Sequence, residues 1–219
     1  PMDFLLNEHW LRFDSIVTDA ERSERTARAH FLTGRLLAAR RDYEAALDSL
    51  KKARSARPEV EAISLAIVWT QYQAGDYEGA LREAERAVAA QSESVEARLA
   101  LAACHEALQG GDLNDKHRLA ALEQYEETRK IEPGNLRALD ALGQLRWDEY
   151  HRQPPNSPER AEAAAAAIAL YEDTLNVAKE RDRLLPLLKL ALIHDAEGQV
   201  EKAEARYNQA IAIDPRNIP

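Results

Sequence analysis

Arg41-Asp42-Tyr43-Glu44-Ala45-Ala46-Leu47 is answered by Gly75-Asp76-Tyr77-Glu78-Gly79-Ala80-Leu81, so that Asp, Tyr, Glu, Ala and Leu return in register after 34 residues. A third version, Gly198-Gln199-Val200-Glu201-Lys202-Ala203, stands near the end of the chain. Segments that close on a proline complete the pattern: Ala53 to Pro58, Lys130-Ile131-Glu132-Pro133-Gly134-Asn135 and Ala212-Ile213-Asp214-Pro215-Arg216-Asn217. Self-similarity at such a period marks an array of supersecondary units, each too small to bury its apolar face alone.

The composition makes those units helical. The 219 residues include only 8 Gly and 9 Pro and are 45% hydrophobic, with Ala, Leu, Glu and Arg abundant and no segment dominated by β-branched residues. Good helix formers of this kind predict an all-α chain. Small residues are expected where the two helices of a unit cross, because only Gly or Ala lets the backbones approach. Large ones such as Tyr43, Tyr77, Tyr125 and Tyr207 are expected to fill the space between hairpins. A closing proline cannot continue a helix and sets the turn into the next unit.

Gly34 and Leu139-x-x-Leu142-Gly143 carry a first-helix signature, whereas Ala46, Leu50, Ala53 and Pro58, then Ala203, Tyr207, Ala210 and Pro215, carry a second-helix signature. On these residues the chain resembles the tetratricopeptide repeat family over about residues 27 to 217. The resemblance implies a right-handed α-solenoid of about five helix-turn-helix hairpins, at 27–60, 61–94, 95–135, 136–183 and 184–217. The step from Ala80 to Ala121 is 41 and that from Ala121 to Ala167 is 46, so repeats three and four carry extra residues. These are expected in the turns Gln109 to Asp115 and Arg152 to Pro158, either as spacers or as partner-specific protrusions. Ser157 before Pro158 reads as an N-cap with proline in the first helical turn.

Residues 1–26 are set apart as a flanking helix and linker. Phe4, Leu5, Trp10, Leu11, Phe13 and Val17 are apolar, many at helical spacing. Thr18-Asp19-Ala20-Glu21 has the form of a capping box. This extra N-terminal helix either caps the first repeat or lies in a groove of its own or a neighbouring molecule.

A net charge of −9 argues against a nucleic-acid partner, because no basic stripe could neutralise phosphates. The longest apolar runs, such as Ala161 to Leu170, are too short to insert in a membrane. One cysteine, Cys104, allows no disulfide framework. The expected compartment is the cytoplasm, or the periplasm if a leader or anchor has been removed. No phosphate loop, nucleophile elbow or His-Glu-x-x-His is present, and the six histidines are scattered. His105 and His194 stand where the family often has an aromatic, so packing is their expected role. No catalytic residue, cofactor or metal is therefore expected.

The family resemblance implies that first helices line a concave surface. Carried over position by position, that groove takes Arg28, Phe31 and Arg35 from repeat one and Leu65, Trp69 and Tyr72 from repeat two. Repeat three adds Leu99, Ala103 and Glu106; repeat four Asp140, Gln144 and Trp147; repeat five Leu188, Leu192 and Asp195. Trp69 and Trp147 either anchor a partner or are partly buried against the next helix. The Lys/Asn/Arg cluster with which one branch of the family clamps a C-terminal carboxylate is missing. The expected function is a non-catalytic protein–protein interaction scaffold binding a partner peptide or helix. The alternatives are a self-assembling module, or an arm of a larger enzyme or of a secretion or assembly machine. Tyr207 and Ile211 on the last helix, with Trp10 as complement, are the expected contacts of a homodimer.

Overall fold

The structure is a computed structural model that describes residues 19–110 and 115–214. Among the described residues it holds ten α-helices, one short 3₁₀ turn and no strand. The chain is all-α, as its composition requires, and divides into two compact units, Pro1–Ser92 and Glu93–Pro219.

The first unit contains α1 (Asp19–Ala39), α2 (Tyr43–Ala56), α3 (Glu61–Gln73) and α4 (Tyr77–Ala90). Helix α1 pairs with α2 and α3 with α4, and α2 packs on α3. The repeated heptapeptide encodes the turn inside each hairpin. Arg41 and Gly75 both take positive φ, 64° and 84°. The following Asp42 and Asp76 donate their backbone N–H groups to the carbonyls of Leu37 (3.0 Å) and Gln71 (2.9 Å). This left-handed residue with a six-to-one hydrogen bond closes the preceding helix. The same aspartates then cap the next helix, accepting from the N–H of Ala45 (3.4 Å) and Gly79 (2.9 Å). At the crossing of α1 and α2, a Cβ on Gly34 would lie 2.6 Å from Leu50 Cγ, so the close approach requires glycine. Leu50, Ala53, Ile63 and Ile67 form the core.

The second unit contains α5 (Val95–Leu108), α6 (Lys116–Ile131), α7 (Leu136–Arg152), α8 (Pro158–Val177), a 3₁₀ turn (Glu180–Asp182), α9 (Leu184–Ala196) and α10 (Val200–Ile213). Its hairpins are α5–α6, α7–α8 and α9–α10, each packed on the next. Ser94, Asp115, Asn135 and Ser157 cap four of these helices with their side chains. Ser157 accepts from the Arg160 N–H at 3.1 Å with Pro158 in the first turn, as the sequence suggests. One core gathers Leu99, Ala121, Tyr125, Leu139 and Leu142, the other Tyr150, Ala167, Tyr171, Leu190 and Ile193.

Three expectations change. The extra length of the fourth repeat enters the helices more than the turn: α7 has 17 residues and α8 has 20, against 13 in α3 and 14 in α4. The alanine run 163–167 lets α8 continue, since alanine is the best helix former. Tyr125 fills the core as expected, but Tyr77 is 36% exposed, and the other large buried aromatics are Tyr150 and Tyr171. Helix α1 begins at Asp19, where the capping-box pattern opens a helix, but runs unbroken to Ala39 across the boundary set at residue 26. Phe4, Trp10, Phe13, Thr18, Pro215 and the centre of the Gln109–Asp115 turn lie outside the described residues.

Candidate functional site

In the first unit the first helices α1 and α3 leave an open groove of about 460 Å³ between them. Phe31, Arg35, Leu65 and Trp69 line it, with Ala38, Ala62 and Ala66 as its floor and Gln73 at one end. Spacings of three and four residues put each set on one helix face, and the alanines keep the groove open. The Arg35 guanidinium lies 5.8 Å from the Phe31 ring centre. Arg28 lines a smaller adjoining hollow, about 240 Å³, with Phe31, Val60 and Ile63. Tyr72 departs from expectation. It does not line the groove but stands edge-on to Trp69 (5.6 Å) and to Tyr77 (5.1 Å), bracing the tryptophan from behind.

In the second unit the first helices carry carboxylates. Asp140 lines a hollow of about 580 Å³ between α7 and α9, with Leu136, Arg137, Leu184, Leu185 and Leu188. Burial raises the Asp140 pKa, and the nearby Lys189 ammonium offsets part of that rise. Gln144, one turn on, donates to Asp148 at 2.9 Å and accepts from Lys189. Glu106 on α5 accepts the Tyr125 hydroxyl at 2.8 Å. Burial raises its pKa first; the Tyr125 hydrogen bond opposes this, and the charges of Asp148 and Asp140 add to it.

Other candidates of this unit are packed away. Leu99 is buried in the core with Ala102, Tyr125 and Leu139 and is unavailable to a partner; Ala103 is buried too. The six consecutive residues Leu99 to Cys104 of α5 are all buried, so helical spacing alone overstates its free face. Trp147 is half-buried and stacks on Tyr150 at 4.6 Å with planes 10° apart. Leu188 packs against the core, while Leu192 is 49% exposed.

Other groups were not visible in the sequence. Arg118 lies in Lys116-His117-Arg118, which looks solvated, yet it is buried and its Nη2 donates to the Leu145 carbonyl at 2.5 Å. Burial lowers its pKa. The Nδ1 atoms of His105 and His117 are 3.0 Å apart across the α5–α6 hairpin, a pairing set by tertiary contact. Burial pushes the Cys104 thiol up to about 12, which leaves it without a reactive thiolate at neutral pH. No group of three or more His, Cys, Asp or Glu among the described residues is placed to hold a metal ion. No described helix is long and apolar enough to cross a membrane.

The geometry agrees with what is found among known proteins. The sequence pattern of the tetratricopeptide repeat matches residues 37–104 and again 186–217. No curated protein matches the chain. MamA from Desulfovibrio magneticus superposes with a TM-score of 0.67 at 14% identity, covering 89% of this chain and 98% of its own. The protein pilF of Pseudomonas aeruginosa superposes with a TM-score of 0.67 at 17% identity, covering 89% and 79%. YrrB, described as a tetratricopeptide protein with an unusual peptide-binding site, reaches 0.59 at 15% identity, covering 90% and 91%. At these identities the likenesses speak for the fold alone. The two matched stretches and the capped, glycine-crossed hairpins support membership of the tetratricopeptide repeat family.

Proposed function

We propose that this protein binds a partner peptide or helix on the faces of its first helices and performs no catalysis of its own. Its family is in general one of protein–protein interaction modules. The observation that carries the finer reading is the groove between α1 and α3. There a half-buried Trp69, braced by Tyr72, forms one wall over an alanine floor, and Phe31 and Arg35 form the other. Tryptophan and arginine are the residue types that most often dominate binding energy at interfaces. A mostly apolar concavity with a few polar groups is the usual form of a binding site. YrrB, similar in fold, is described as binding peptide. The acidic net charge disfavours nucleic acid.

The test is selection of short peptides from a random display library on the whole chain, repeated on Trp69→Ala. Peptides that bind the parent protein and lose about tenfold or more in affinity on the variant support the groove. Failure to recover any peptide, or indifference to the substitution in every recovered family, removes it.

A second reading, self-association, is favoured by α10, where Val200 is 57% and Ile211 37% exposed beside a half-buried Tyr207. Apolar side chains spaced along one helix face in this way suit contact with a second copy.

A further inference from the structure

Within each unit the hairpins are joined in one way. A second helix packs on the first helix of the next hairpin, as α2 does on α3, α6 on α7 and α8 on α9. At the junction of α2 and α3, Leu50 lies in one core with Ile63 and Ile67, and Thr70 is buried one turn further along the same face of α3. Counted back by the 34-residue repeat, Ile63, Ile67 and Thr70 correspond to Ala29, Thr33 and Leu36 of α1, with Leu32 beside them. All four are exposed, the two leucines by 55% each. Among the described residues nothing packs on this face of α1 as α2 packs on α3.

Helix α10 carries the other half of such a junction. It has 14 residues, as α2 has, and places Val200, Glu204, Tyr207 and Ile211 where Tyr43, Leu47, Leu50 and Arg54 stand. Leu50 is wholly buried, whereas Tyr207 is only half-buried, with Val200 and Ile211 exposed around it. The two uncovered faces differ from the internal pair in compensating ways. The inserted side chain grows from leucine to tyrosine, and the receiving ones shrink from Ile63 and Ile67 to Ala29 and Thr33. Close packing tolerates an exchange of that kind, because total volume is kept. At the edge of the internal junction Arg57, the C-cap of α2, pairs with Glu59. Asp214 is the C-cap of α10, and Arg25 stands 34 residues before Glu59. The charges have changed sides and remain opposite.

We infer that α10 of one copy packs on α1 of another, repeating between molecules the contact that joins hairpins within them. This inference rests on the self-association reading and specifies its two faces. Tyr207 seats over Ala29 and Thr33; Leu32, Leu36, Val200 and Ile211 form the apolar margin, and Arg25 meets Asp214. The faces are unlike. Exchanged reciprocally by two copies, the contact closes as a dimer; repeated in one direction, it runs on as an open chain.

Sedimentation over a wide range of concentration reads the test. Leu36→Glu and Ile211→Glu alter exposed positions, so both variants should keep the helical circular dichroism of the parent, and each should weaken association about tenfold or more. Leu119→Glu, at a leucine of α6 about as exposed, should change it less than about twofold. Each of the first two variants keeps the face that the other has lost. Their mixture should therefore form a one-to-one pair at concentrations where either alone is a monomer. Undiminished association in both Leu36→Glu and Leu32→Glu, an equal loss in Leu119→Glu, or a mixture that stays monomeric each overturns the inference. A lower melting midpoint for Leu36→Glu with unchanged association would show this face covered within its own chain, and overturns it too. In those cases the self-association reading survives as long as Ile211→Glu still costs affinity. If the parent protein is a monomer at every concentration, both fall.

Discussion

Arg41 holds a left-handed backbone, φ 64°, at the place where Gly75 and Gly198 stand in the equivalent turns. A side chain in that conformation costs about 1–2 kcal/mol, of which glycine's greater freedom in the unfolded chain returns part. Arg41→Gly should therefore stabilise by about 0.5–1 kcal/mol, and Gly75→Ala should destabilise by about 1 kcal/mol. Urea unfolding of the two variants checks both signs. Glu106 offers a second test at this scale. Its folded-state pKa is raised above the ordinary 4.5, chiefly by burial. A carboxyl whose pKa rises on folding contributes stability that is full below its ordinary value and is lost as pH climbs through the raised one. Glutamine stays neutral and still accepts from Tyr125. Glu106→Gln should thus melt above the parent protein at pH 7, and the gap should close as pH falls towards the ordinary carboxylate value. A gap that widens on acidification would reverse this account.

At the scale of the element, the hairpin is held by its crossing. Ala46, Leu50 and Ala53 of α2 are wholly buried, with Gly34 of α1 pressed on Leu50. A branched side chain in place of Ala46 has no space to enter without parting the helices. Ala46→Leu should cost about 1–3 kcal/mol through overpacking, seen as a lower midpoint in thermal unfolding followed by helical circular dichroism. The corresponding crossing of α7 and α8 is different, because a tyrosine ring occupies the space over Gly143. The longer α7 and α8 lie on either side of it.

At the scale of the molecule, the question is what covers the apolar face of α10. Burying a side chain such as Ile211 is worth about 1.5–3 kcal/mol, and Val200 is exposed on the same helix. Self-association is the expected outcome, a dimer in preference to a filament. Sedimentation over a wide range of concentration should show it, with Ile211→Glu moving the equilibrium towards monomer. A monomer at every concentration, in both proteins, would leave α10 without this role. Trp10, the expected complement, lies outside the described residues.

What the sequence determined by itself is local. The return of Asp-Tyr-Glu after 34 residues specifies turn, cap and crossing together, because each depends only on residues within about one helical turn or on the facing helix of the same hairpin. The helices and the cap at Ser157 were legible for that reason. Tertiary structure decided the rest. Leu99 has the same helical spacing as a groove residue, but a neighbouring helix covers it. Tyr72 turns towards Tyr77 and not into the groove. The guanidinium of Arg118 owes its partner to the next hairpin, and the pairing of the His105 and His117 imidazoles depends on how closely α5 and α6 pack. Helical spacing tells which residues share a face; only the packing of the next helix tells whether that face is covered, charged or left open.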